Sequence, residues 1–158
     1  MPLFLQNGLR QDVYASGTER SPSATAGFEN LYTIPIGSGL LARDGESICY
    51  EIITRCAPNG NTKSVRLDID GQYPVTDNFT VNNGVIRHTG RIRRTSATMA
   101  RCTALIIYGT ASVYQRASTT IYVTWANATD LHVAVHTHTA TTDAVVESVR
   151  VWKEGINA

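Results

Sequence analysis

The sequence predicts an all-β, antiparallel sandwich or barrel. Three observations carry this. Thr (20), Val (13) and Ile (12) outnumber Leu (9), Glu (6), Gln (4) and Lys (2), and β-branched side chains suit a pleated surface better than a helix. Short apolar runs are broken by turn residues at roughly 8–12-residue intervals, the rhythm of sandwiches and barrels. No stretch repeats its apolar residues with a helical period.

The elements follow in order. Residues 1–30 hold Gly8, Gly17, Pro22 and Gly27 and show neither alternation nor a helical period. They read as an extended N-terminal arm, ordered only where it meets a partner, with an apolar tip at Leu3, Phe4 and Leu5. A body over 31–158 follows. Leu31–Ile36 is a first strand, stopped by Gly37-Ser38-Gly39. Ser47–Ala57 is longer, with Ile48, Tyr50, Ile52 and Thr54 on one face. Pro58-Asn59-Gly60-Asn61 turns the chain into Lys63–Ile69, and Asp70-Gly71 turns it again into a short Gln72–Val75. Phe79–Val81 leads to Asn82-Asn83-Gly84, a strong hairpin signal. Val85–Arg94, Met99–Tyr108, one or two strands within Ala111–Trp125, Leu131–Thr139 and Val145–Lys153 complete the set.

A chain of 158 residues and 17.2 kDa has room for one domain plus a short arm. Its net charge is +1 and 17% of its residues are charged, which excludes simple charge-driven disorder and a generally basic nucleic-acid binder. The start, Met1-Pro2-Leu3-Phe4-Leu5-Gln6-Asn7, has no basic region and a short apolar run, so a secretory signal is not expected. No apolar stretch has the length of a membrane helix. Cys49, Cys56 and Cys102 have no metal-ligand spacing and read as reduced, small apolar residues.

Two clusters stand out. His132, His136 and His138 share one strand parity and read as a polar outer face. His136 and His138 are spaced about 7 Å apart along an ideal strand, wide for one metal, and no further ligand stands beside them. Between Asp77 and Asp130 there is no acidic residue, while Arg87, Arg91, Arg93, Arg94, Arg101 and Arg116 fall within that stretch. Arg87, Arg91 and Arg93 share one parity and can line one strand face. Arginine makes bidentate contacts with carboxylates, which suits an acidic protein surface. No nucleophile elbow, P-loop, zinc-protease or dinucleotide motif occurs, so no enzyme, cofactor or metal is expected.

The runs Leu40-Leu41-Ala42-Arg43-Asp44-Gly45-Glu46-Ser47-Ile48, Lys63-Ser64-Val65-Arg66-Leu67-Asp68-Ile69-Asp70-Gly71 and Gly90-Arg91-Ile92-Arg93-Arg94-Thr95-Ser96 resemble small jelly-roll proteins of tailed bacteriophages. These occur as capsid decoration (cement) proteins and as tail-fibre or baseplate modules. The resemblance covers about residues 31–155, and Ser96 stands where the pattern has Gly. It implies an antiparallel jelly-roll-like β-sandwich of about eight to ten strands, assembled as a homotrimer, with a structural role. A single module behind an arm suits a decoration protein, made in the host cytoplasm and bound to the major capsid protein on the outside of the head. Expected contacts are Leu3, Phe4 and Leu5 in the arm and the face of Arg87, Arg91 and Arg93, with no nucleic-acid or membrane partner. The alternatives are a tail-fibre or baseplate receptor-binding module and a lectin-like glycan-binding domain, with Trp125 or Trp152 stacking on sugar.

Overall fold

The structure, a computed structural model, describes residues 10–80, 82, 84–109 and 111–155, and only the backbone of 111–117. Ten strands form: β1 (Arg10–Ser16), β2 (Glu29–Ile36), β3 (Ser47–Cys56), β4 (Lys63–Ile69), β5 (Gln72–Phe79), β6 (Val85–Ser96), β7 (Met99–Tyr108), β8 (Ala111–Tyr122), β9 (Thr129–Thr137) and β10 (Ala144–Glu154). They make two antiparallel sheets, ordered β1-β10-β3-β6-β7-β8 and β2-β9-β4-β5. The fold is a β-sandwich.

Alternation along each strand decides which side chains fill the space between the sheets. Ile34, Leu67, Leu131 and Val133 come from the four-stranded sheet. Ile48, Tyr50, Ile52, Ile86, Ile92, Ile106 and Val151 meet them from the six-stranded one. Trp125, just past β8, is also buried, and its indole N–H donates to the Met99 carbonyl at 3.3 Å. It belongs to the core and offers no platform to a sugar. The three cysteines are free and buried.

Several expectations change. Arg10–Ser16 do not run free as part of an arm: they pair with β10 as an edge strand of the larger sheet. Arg20 continues the attachment through two backbone bonds to Val146, at 3.0 and 2.8 Å, and its guanidinium donates to the Leu31 carbonyl at 2.6 Å. The sandwich therefore begins at Arg10, ahead of the boundary expected at 31. A bulge between Asp12 and Tyr14 breaks the alternation that would have revealed the strand. Leu3, Phe4 and Leu5 lie outside the described residues. Gln72–Phe79 is one continuous strand through Pro74, because β5 is a sheet edge, where a missing N–H costs no ladder bond.

The two Asn-Gly turns are not hairpins. Pro58–Asn61 joins β3 to β4, which lie in different sheets, and the second Asn-Gly signal falls between β5 and β6, which also lie in different sheets. The primed hairpin turn falls at Asp70-Gly71, whose φ values are 52° and 70°.

Two polar clusters tie these crossings. Asp143 accepts hydrogen bonds from the side-chain amides of Asn59 at 2.7 Å and Asn61 at 3.0 Å, and Lys63 donates to the Asn59 carbonyl at 2.8 Å. Burial pushes the Asp143 carboxyl up, but the amides of Asn59 and Asn61 outweigh it and hold the group below the usual carboxylate range. Between the sheets, Asp77 of β5 accepts from the Tyr108 hydroxyl at 2.9 Å and lies 3.2 Å from His88 Nε2. Asp77 and His88 are 2% and 1% exposed, so this trio bonds sheet to sheet rather than meeting a substrate.

Tyr108→Phe should lower unfolding free energy by about 1–3 kcal/mol, read from urea titration, because it strips a donor from a buried carboxylate. A depressed carboxyl contributes stability at neutral pH and loses that contribution as pH falls through its folded value. Asp143→Asn should therefore be less stable than the parent at neutral pH. Below about pH 4 the two urea midpoints should converge.

Candidate functional site

The outer face of the six-stranded sheet is where the chain concentrates exposed chemistry. Cross-strand register builds it in rows. One row runs Trp152, Cys49, Arg91, Thr103 and Ser118 across β10, β3, β6, β7 and β8. The next runs Glu154, Ser47, Arg93 and Arg101. A third places Glu51, Thr89 and Leu105 side by side.

Side-chain size along these rows makes a depression of about 320 Å³. Its floor is low because the outward residues Cys49, Thr89 and Thr103 are small. Trp152 rises on one side, Leu105 on another, and Arg91 with Glu154 closes the rim. Gly90 is required here. A Cβ at this position would collide with the ring and hydroxyl of Tyr50, which cross it on the core side, and with the Thr103 carbonyl.

The Trp152 ring is held from several directions. Its indole N–H donates to Glu154 at 3.1 Å, and the guanidinium of Arg10, from the far flank of β10, lies 4.2 Å from the ring centroid. Glu154 also receives the Arg91 guanidinium. The indole N–H first, and Arg91 after it, hold the Glu154 carboxyl below the usual range, so it is ionised at neutral pH. Burial pushes the Cys49 thiol up, which keeps this floor residue protonated and unreactive. The arrangement presents an aromatic wall, an oriented cation–anion pair and two threonine hydroxyls. It offers complementary surface to a polar ligand but no activated nucleophile.

Arg87, Arg91 and Arg93 all project outward from β6 and are exposed. Their surroundings differ. Arg87 sits 3.6 Å from Glu51 and Arg91 pairs with Glu154. Arg93 stands opposite Arg101, and neither has an ion-pair partner among the described residues. Arg101 gives its Nε–H to the Ser118 hydroxyl at 3.1 Å. A second depression of about 220 Å³ lies among Arg91, Arg93, Arg101 and Thr103.

Sequence reasoning placed the three β6 arginines on one parity. It missed that Arg101 lies opposite Arg93, although the alternation of Met99, Arg101, Thr103 and Leu105 was legible. It also missed Glu154, and it had no means of setting Trp152 beside Cys49, more than a hundred residues away.

The histidines lie on the opposite face of the molecule, on the outer side of the four-stranded sheet. His136 and His138 are brought together, with ring centroids 3.8 Å apart, because His138 falls just past the end of β9 and no longer follows strand spacing. Stacked rings do not converge their nitrogens on one ion, and among the described residues no group of three metal-ligating side chains forms. The stack continues through Phe28, 5.5 Å from His136, to Arg66, whose guanidinium lies 4.2 Å from Phe28 and 4.0 Å from Tyr73.

Like charges directly opposite on neighbouring strands destabilise a sheet. Arg101→Glu should therefore raise stability by about 0.5 kcal/mol through a new pair with Arg93, and a double-mutant cycle with Arg93→Ala should recover most of that gain. No protein-family model and no curated protein matches the chain. Among solved structures, the chain is similar to the CBM2 module of the evolved Dit of Lactobacillus casei BL23 phage J-1, at 6% identity and a TM-score of 0.40, over 94% of this chain and 98% of that one.

Proposed function

We propose that the chain is a non-catalytic, glycan-binding structural module of a phage virion, combining the receptor-binding and lectin-like alternatives expected from the sequence, and that the sugar occupies the depression beside Trp152. One observation carries this reading: a held indole stands over a floor of small residues, with Arg91 and Glu154 already oriented at its rim. The apolar face of a pyranose packs on an aromatic ring, and a fixed guanidinium–carboxylate pair suits adjacent hydroxyls. The volume fits a single sugar residue, at the small end of ligand pockets. The phage assignment rests on the sequence resemblance over residues 31–155.

The decoration reading is favoured by a different observation, the unpaired Arg93 and Arg101. In that case a homotrimer would dock this face on acidic groups of the major capsid protein outside the head. The attachment of Arg10–Ser16 and Arg20 to the sandwich takes those residues out of any arm that would reach a neighbouring subunit.

A glycan array followed by calorimetry separates the two. Trp152→Ala should weaken the best array ligand by about tenfold or more, the loss expected when an aromatic platform is removed, while circular dichroism still shows a folded β protein. Salt-sensitive binding to bare phage shells, abolished by Arg93→Glu and untouched by Trp152→Ala, would instead establish the decoration role.

A further inference from the structure

Resting on the glycan reading, we propose that the ligand is an anionic oligosaccharide, with one sugar residue beside Trp152 and the carboxylate or phosphate of a linked residue held between Arg93 and Arg101. The two depressions on this face share Arg91 and Thr103, so they form one continuous site with an aromatic end and a cationic end.

Among the described residues Arg20, Arg43 and Arg66 also lack a carboxylate partner, but Arg93 and Arg101 are two such arginines set opposite each other on neighbouring strands. Arg55 pairs with Glu147, Arg87 with Glu51, Arg94 with Asp44 and Arg150 with Asp12. Arg93 and Arg101 are placed opposite each other and have no carboxylate among the described residues. β6, β7 and β8 supply none of their own, because no acidic residue occurs between Asp77 and Asp130. A sheet that sets two guanidinium groups face to face gives up stability. An incoming anion reverses that cost and gains charge-assisted hydrogen bonds from two planar forks.

Spacing agrees. Arg91 and Arg93 are two residues apart on β6, about 7 Å along the strand, and Arg101 is one strand over, about 5 Å. Trp152 lies two strands from Arg91, about 10 Å, so the aromatic and cationic ends are further apart than one pyranose reaches, and two or three linked sugar residues span them. The Arg91–Glu154 pair then sits at the junction, where Glu154 screens Arg91 and leaves Arg93 and Arg101 as the free positive charge.

The test uses the full chain and an array carrying neutral, carboxylated and phosphorylated glycans. The best acidic hit is then titrated calorimetrically against its own neutral form, the methyl ester for a carboxylate or the dephosphorylated sugar for a phosphate. The acidic form should bind about tenfold or more tightly than the neutral form. Arg93→Gln with Arg101→Gln should erase that difference while leaving the neutral form's affinity unchanged, and added salt should weaken only the acidic form. The carboxylate and phosphate arms identify which acid is preferred. Equal affinity for acidic and neutral forms, unaffected by the double substitution, would overturn the anionic assignment and keep the glycan reading. Binding of no glycan at all would overturn both. Binding of a polyglutamate peptide in place of any glycan, lost in the Arg93→Gln, Arg101→Gln variant, would also overturn the proposal and return the face to an acidic protein partner.

Discussion

β10 lies between β1 and β3, and its register with both governs the outer face of the larger sheet. The chain's last strand thus closes on one of its first. That pairing puts Trp152 beside Cys49 and Glu154 beside Ser47, and so brings the aromatic wall and the carboxylate to the β6 arginines. A register shift of one residue in β10 would turn Trp152 into the core and Val151 out of it. The bulge between Val146 and Ser148 sets which parity wins, since the alternation before it and after it differ by one residue.

The same sheet shows how a core constraint selects a residue. Tyr50 is buried and crosses Gly90 on the inner side, so β6 has no side chain there. The neighbouring strands place only threonines and a cysteine on the outer floor. The depression follows from small outward residues on three adjacent strands, Cys49, Thr89 and Thr103. It is rigid because its floor is ladder-bonded backbone, and a preformed site loses little entropy on binding.

Charge is distributed with equal economy. The net charge of +1 conceals a strand face without acidic residues and flanks that supply them. Most surface arginines meet a carboxylate, and exposed pairs of this kind add little to stability. Among the described residues they leave Arg93 and Arg101 as two arginines without a carboxylate set side by side. Arg93 and Arg101 are neighbours only because β6 and β7 form a hairpin around Ala97 and Thr98.

Much of this was legible beforehand. The β-branched composition and the clean alternation of Val65, Leu67 and Ile69, or of Leu131, Val133 and Val135, report directly on which side of a pleat each residue takes, because that is a local property of the backbone. Asp70-Gly71 reads as a turn for the same local reason. Three things were not local. Arg10–Ser16 became a strand because β10 offered an edge, not through any pattern of its own. The Asn-Gly turns could be recognised as turns, but whether the chain doubled back or crossed to the other sheet depended on partners far along the sequence. The site itself is made by register between strands from opposite ends of the chain. The amino-acid sequence alone therefore determined the strand class, the inward and outward residues and a basic β6 face; the tertiary structure decided which outward residues touch, since pairing distant strands is settled only when the whole sandwich closes around one core.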